Sequence, residues 1–176
     1  VWRSSIGCRP QACPPEALLW TPCSRYVHAM SSRPSLDTLR LDAAELGAFL
    51  VEAFPGRAPG EIAAIVALRP GFAQLQLAPS ERTLRPGGLI SGPTQMGLVD
   101  VAAYAVVLAH IGIVPMAVTS GLNIQFLRGC PLVPLNADAA LLHLGRRTAI
   151  IDVRLWHDDA ARPVAQASVT YMLPAG

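Results

Sequence analysis

The chain has 176 residues, of which 52% are hydrophobic and only 15% charged, against roughly 25% charge in an ordinary domain. With a mean hydropathy of +0.38, this composition excludes a disordered chain and suits one domain with a substantial core. All 14 basic residues are arginine, which excludes lysine Schiff-base chemistry and a phosphate-loop lysine.

The formal charge of +2 sits at the front of the chain. Residues 1–29 carry Arg3, Arg9 and Arg25 against Glu16 alone, leaving 11 arginines and 11 acids in residues 30–176. A neutral body lacks the basic footprint that binding a phosphate backbone requires, so nucleic acid is not an expected partner. Cys8, Cys13 and Cys23 share the same stretch. Their spacing fits no zinc pattern, and three is an odd number for a disulfide framework. Four prolines break residues 1–29, which hold no apolar core of the seven or so residues a secretory signal needs. They are expected to be an unstructured leader, with residues 30–176 forming a single domain. One body cysteine, Cys130, suits a reducing cytoplasm, the expected location. No base lies beside it in sequence, which favours a small apolar filler over a nucleophile.

Asp42 can cap a helix over AAELGAFLVEAF, with Glu45 three residues later completing a capping box and Pro55-Gly56 closing the helix. The run IAAIVAL (62–68) reads as a buried strand. After the turn Arg69-Pro70-Gly71, FAQLQLA (72–78) alternates with period two, as a half-buried strand does. A Pro/Gly-rich connection from Pro79 to Pro93 leads into TQMGLVDVAAYAVVLAHIG (94–112), a helix apolar all the way round. Such a helix is buried on every side or spans a membrane. Asp100 within it, the interruptions at Gly112 and Pro115, and the lack of a flanking arginine cluster favour a buried central helix and no membrane partner.

Four more segments follow. Leu122, Ile124 and Phe126 oppose Asn123 and Gln125. ADAALLHL (137–144) is less regular. TAIIDVRLW (148–156) and VAQASVTYM (164–172) alternate cleanly, the latter with Ala165, Ala167, Val169 and Tyr171 on one face. Short connections at Gly129–Pro134, Gly145-Arg146 and Asp158–Pro163 predict antiparallel neighbours. One all-round apolar helix beside six strands needs a sheet that wraps it, an α+β arrangement.

Asp100 stands in that helix with no arginine three or four residues away. Burial of an unpartnered carboxylate raises its pKa and is costly. The residue is therefore either a working carboxylate or the partner of a distant arginine from a strand or a second subunit. Ahead of it, Ser91-Gly92-Pro93-Thr94 reads as a helix start, with Pro93 at the first helical position and Ser91 or Gly92 as cap. The N–H groups of such a start favour negative charge, so the turn is either an oxyanion hole or a plain cap. His110, His143 and His157 are far apart and show no metal spacing; no metal is expected.

The segments PGGLISGPTQMGLVDVAAY, AVTSGLNIQFLRG and HLGRRTAIIDVRL, in that order within residues 42–173, resemble the hotdog-fold acyl-CoA thioesterases of the PaaI-like (phenylacetate-pathway) type. In that family a His-Gly-Gly turn enters the central helix, and an acid nine residues after the histidine does the chemistry. Ser91 stands at the histidine place, Gly92 at the first glycine, Pro93 at the second, and Asp100 nine after Ser91. Arg85 stands where many members have an asparagine that orients the substrate. The resemblance implies a curled antiparallel sheet around the helix 94–111. It implies Asp100 as nucleophile or general base and the Gly92 N–H as oxyanion donor. Arg85, Ser91, Pro93, Thr94 and Tyr104 would lie at the substrate; for Tyr104 a core role is the alternative. Arg128, Gly145, Arg146 and Arg147 would meet the coenzyme A phosphates, or else form solvated surface, and Asn123 and Gln125 the pantetheine. No cofactor is implied beyond the coenzyme A of an acyl-CoA substrate. Family members form dimers, often paired into tetramers, with each site shared between subunits. A non-catalytic acyl-CoA-binding module and a hotdog enoyl-CoA hydratase or dehydratase are the rival readings, the latter needing a histidine beside the carboxylate.

Overall fold

A computed structural model describes residues 35–54 and 62–174; the leader expected over residues 1–29 and the helix stop at Pro55-Gly56 lie outside them. The first helix, α1 (Ala43–Ala53), starts as its sequence demands. Asp42 Oδ1 accepts from the N–H groups of Ala44 and Glu45, both at 2.8 Å, and Glu45 Oε2 accepts from the Asp42 N–H at 3.0 Å. These bonds satisfy backbone donors that a helix start leaves orphaned. Leu46, Phe49 and Leu50 turn its apolar face into the core.

Strands β1 (Ala64–Arg69) and β2 (Phe72–Leu77) form a hairpin across Pro70-Gly71, where Gly71 takes φ 74° without steric cost. A short 3₁₀ turn (Glu81–Thr83) and a small hairpin of β3 (Leu84–Arg85) and β4 (Leu89–Ile90) occupy the Pro/Gly-rich connection. Then comes α2 (Gly92–Ile111), followed by β5 (Val118–Phe126), β6 (Leu135–Leu144), β7 (Thr148–Trp156) and β8 (Ala165–Met172). The six long strands make one antiparallel sheet in the order β1-β2-β6-β7-β8-β5.

The sheet curls around α2, giving the hotdog fold. Although α2 is long and apolar enough to cross a membrane, 72% of its most apolar stretch is buried inside the protein. Alanines carry much of this packing. Ala102, Ala103, Ala105 and Ala109 on the helix meet strands bearing Ala137, Ala139, Ala149, Ala165 and Ala167, all fully buried. Small side chains on both surfaces let helix and sheet approach closely, and this accounts for the apolar, charge-poor composition. His110 ties the helix to the β1–β2 turn: its Nε2 accepts from the Gly71 N–H at 2.9 Å while Nδ1–H donates to the Val106 carbonyl at 2.7 Å.

Two expectations are corrected. Residues 62–68 do not form a buried strand: β1 is a sheet edge whose Ala64, Val66 and Ala67 are exposed, with a bulge between Ile65 and Ala67. An edge strand packs on one face only, so an unbroken apolar run there does not mean burial. The second correction concerns β5 and β6, which are not neighbours. The connection after β5 crosses β8 and β7, so that β5 closes the far edge against β8 while β6 pairs with β2. Six paired residues, Phe72 to Leu77 against Leu135 to Ala140, hold that choice, including side-chain bonds Gln74–Asp138 at 3.0 Å and Gln76–Asn136 at 2.9 Å.

Candidate active site

Two groups of residues lie along α2. The first is its start. Ser91 is the N-cap: its Oγ accepts from the Thr94 N–H at 3.4 Å and sits 2.9 Å from Thr94 Oγ1. Its N–H donates to the Thr83 carbonyl at 2.8 Å. Gly92 is therefore the first helical residue and Pro93 the second, one place later than expected; the Gly92 N–H has no partner within the helix and Pro93 carries no N–H to satisfy. The room left by the missing side chain of Gly92 is taken from within the chain. A Cβ there would lie 3.4 Å from Cζ of Phe126, the last residue of β5. Arg85 is exposed on the β3–β4 hairpin just ahead of this turn.

The second group surrounds Asp100, two turns further on. Its carboxylate is half-buried and, among the described residues, meets no guanidinium; instead Thr119 Oγ1 donates to Oδ1 at 2.5 Å and Tyr171 OH donates to the same oxygen at 2.9 Å. The Tyr171 hydroxyl also lies 3.2 Å from the Asp100 carbonyl. Among the described residues two hydroxyls, and no arginine from a strand, hold this carboxylate. Tyr104 does not touch the carboxylate. It stacks on Tyr171, with ring centroids 5.9 Å apart, and meets Phe49 at a tilt of 50°, with centroids 6.4 Å apart. Burial pushes the Tyr104 phenol up to about 12. Tyr171 moves further the same way, chiefly by burial and then by the charge of Asp100, while its contact with Thr119 works in the opposite direction. Both phenols stay protonated across the working range of pH, and the Tyr171 hydroxyl remains a hydrogen-bond donor to Asp100.

Eight residues of helix separate Gly92 from Asp100, about 12 Å at 1.5 Å per residue. Within one chain they cannot contact the same carbonyl group.

The arginines also divide. Arg128, just beyond β5, donates to the Pro163 carbonyl at the Gly92 end of the sheet. Arg146 and Arg147 are exposed on the β6–β7 turn at the opposite end, where the Arg147 carbonyl accepts from the Leu173 N–H, close to Tyr171 and Asp100. Gly145 is held in that turn by the Thr148 carbonyl at 2.8 Å. Asn123 is exposed on the outer face of β5 and accepts from Gln125 Nε2 at 3.3 Å. No histidine reaches Asp100 among the described residues: His110 is spent on Gly71 and Val106, His143 is exposed, and His157 points elsewhere. Among these residues no group of three or more His, Cys, Asp or Glu could hold a metal ion.

Sequence reasoning missed Thr119 and Tyr171. Tyr171 was legible only as an inward-facing core residue. Thr119 was hidden by a bulge between Thr119 and Gly121, which shifts the register by one and sets Thr119 opposite Tyr171. It also missed a partner for Cys130. The thiol is buried, with His157 Nε2 3.5 Å away, and burial pushes its pKa up to about 11, so it packs as the expected filler even with an imidazole beside it.

Comparison with known proteins gives a consistent result. A family model described as the thioesterase superfamily matches residues 87–174. A candidate thioesterase from Silicibacter sp. TM1040 has a similar solved structure, with 38% sequence identity, 78% of this chain and 95% of that chain covered, and a TM-score of 0.69. Two further structures share the fold. The PaaI protein of the Escherichia coli phenylacetic acid degradation operon has 24% identity, 63% and 82% coverage and a TM-score of 0.56. Zebrafish thioesterase superfamily member 2 has 18% identity, 76% and 99% coverage and a TM-score of 0.67. No curated protein sequence matches the chain.

Proposed function

The chain belongs to the thioesterase superfamily, and from that premise we propose that it hydrolyses an acyl-CoA thioester to a free acid and coenzyme A, with Asp100 and the Gly92 N–H as its reacting groups. The observation that carries this reading is the carboxylate of Asp100, placed in an otherwise apolar helix and held, among the described residues, by two hydroxyls and no cation. Both donors go to Oδ1, which leaves Oδ2 to take a proton from water or to attack the thioester carbon. As the tetrahedral intermediate forms, the carbonyl oxygen gains negative charge. A helix-start N–H aimed at it stabilises that charge, and losing one such donor typically costs ~10²–10³ in rate. Where Asp100 acts as base, the water oxygen bonds to the carbonyl carbon, the C–S bond breaks and the thiolate takes up the proton that Asp100 removed. Where Asp100 itself attacks, loss of the thiolate leaves an acyl-Asp100 anhydride, which water then hydrolyses to the free acid and the restored carboxylate.

The roughly 12 Å between Gly92 and Asp100 makes one chain insufficient for this chemistry. In the proposed homodimer a two-fold axis sets the Gly92 end of one chain beside the Asp100 end of the other. The same axis brings Arg128 of the first chain to the end of the sheet where the second chain carries Arg146 and Arg147. Cations that lie far apart in one chain would then flank one site, matching the phosphates of a coenzyme A. Arginine forks suit such oxygens. Arg85, Ser91, Pro93 and Thr94 surround the oxyanion turn, Tyr104 backs Tyr171, and Asn123 borders the path of the pantetheine. No metal or cofactor enters the scheme.

Thiol release from a panel of short, medium and aromatic acyl-CoAs tests the proposal, comparing the wild type with Asp100→Asn. Turnover that the substitution abolishes is the expected result. Tight acyl-CoA binding without turnover on any substrate would identify a binding module instead.

A further inference from the structure

A cavity of about 390 Å³ opens beside the Ser91–Thr94 turn, within the range of small-molecule pockets, roughly 300–1,000 Å³. Pro93, Gly97 and Val101, successive positions on one stripe of α2, form one wall; Phe54, Ala63 and Leu77 line it as well. The stripe is adjacent to the one bearing Asp100, so the cavity runs along α2 away from the oxyanion turn. Polar groups lie near its mouth, where Thr94 Oγ1 is already bonded to Ser91 and Thr83 and where Arg82 is exposed.

Gly97 is the unexpected wall residue. It sits inside a helix, where glycine is less favourable than alanine. Its φ is not positive, and a Cβ built on it meets no atom within 4 Å. Neither backbone conformation nor close packing calls for glycine here. What the missing side chain provides is open space in the cavity.

We infer that this cavity receives the acyl chain of the thioester, a medium-length saturated chain, and that Gly97 sets how much of it is admitted. The inference rests on the acyl-CoA reading above and adds the substrate class. A thioester carbonyl held at Gly92 places its acyl group at Pro93, the mouth of the cavity. From Pro93 to Val101 the helix runs about 12 Å, the span of roughly eight to ten carbons with C–C bonds of about 1.5 Å at tetrahedral angles. Among the described residues the one charged group lining the cavity is Arg82, on the Thr83–Thr94 side, while Gly97, Leu98 and Val101 give the helix wall an apolar surface suited to a hydrocarbon chain.

The test titrates acetyl-CoA and decanoyl-CoA by calorimetry onto the full chain carrying Asp100→Asn, with and without Gly97→Leu, and measures turnover of the same chain lengths with Asp100 intact. Each methylene buried is worth about fourfold in affinity. Decanoyl-CoA is expected to bind at least tenfold tighter than acetyl-CoA, and Gly97→Leu to remove most of that preference with acetyl-CoA binding changed less than about twofold. Gly97→Ala should shift the ratio the same way by less, which keeps the test valid if the leucine variant does not fold. An unchanged ratio, or equal loss for both ligands, overturns the assignment of the cavity. If the ratio moves but no variant with Asp100 turns over any acyl-CoA, the cavity assignment stands and the hydrolytic reading fails. Turnover with a chain-length profile indifferent to Gly97 has the reverse meaning.

Discussion

Thr119 and Tyr171 face each other across β5 and β8, and both hydroxyls donate to one oxygen of Asp100, at 2.5 and 2.9 Å. The carboxylate is thereby fixed from the sheet side while its other oxygen remains available. Tyr171 is buried and braced by the stacked ring of Tyr104, so its hydroxyl is the more rigid of the two donors.

Removing either donor should loosen the carboxylate. Small displacements of a reacting group cost up to about a hundredfold in rate, so Tyr171→Phe and Thr119→Val are each expected to lower kcat for acyl-CoA hydrolysis by about ten- to a hundredfold. Thr119→Ser, which keeps the hydroxyl, should recover most of the loss. Hydrogen bonds to charged groups contribute about 1.5–3 kcal/mol when well enclosed. At a half-buried carboxylate the stability cost seen in urea unfolding should fall at or below the low end. Full turnover by Tyr171→Phe would show that Asp100 needs no such support.

Stability should fall in alkali. In the unfolded chain a tyrosine ionises near 10, whereas burial holds Tyr104 up to about 12 and Tyr171 higher still. Below pH 10 both states keep their protons and nothing is lost. Above it the unfolded chain releases protons that the folded chain retains, so unfolding becomes progressively easier as pH rises from about 10 through 12. Urea midpoints measured from pH 8 to 11.5 should bend downward above 10, and Tyr104→Phe should flatten the bend. A Tyr104→Phe curve parallel to the wild type would contradict the buried phenol.

The capping box at Asp42, the turn at Gly71 and the helix around Asp100 were legible in the sequence because each rests on residues within four positions of one another. The order of the strands was not. Loop length alone put β5 beside β6, but pairing of β2 with β6 is decided by contacts between residues some 60 positions apart, such as Gln76 and Asn136. The candidate site divides similarly. Asp100 stands out as a lone charge in an apolar helix, and Ser91 and Pro93 announce a helix start. Thr119 gives no sign of its position until a one-residue bulge is known, and Tyr171 carries the pattern of a core residue because it is one.

Cys130 provides a chemical probe of the core. Its thiol, ordinarily near 9, is pushed up to about 11 by burial. At pH 8 a two-unit shift leaves about a hundredfold less thiolate than an open cysteine would have, and only the thiolate is alkylated readily. Peptide-resolved iodoacetamide labelling of the native protein should therefore find Cys130 at least about a hundredfold slower than the same residue in urea. Rapid native labelling would mean that His157 activates the thiol instead of packing against it.

Sharing of the site between chains makes the sharpest prediction. Asp100→Asn removes the carboxylate; Gly92→Val places carbons where the Phe126 ring already lies 3.4 Å from a single added Cβ, and so displaces the oxyanion turn. Each variant alone should be inactive on acyl-CoA. If Gly92 of one chain works with Asp100 of the other, a mixed dimer holds one site with both groups intact and one with neither. Random reassortment of equal amounts makes half the dimers mixed, so activity should return to about a quarter of the wild-type value. Co-expression with two different affinity tags isolates the mixed species, in which recovery should approach one half. Mixed dimers without activity, where wild-type dimers turn over the same substrate, would place both groups of a working site on one chain, against the roughly 12 Å between them.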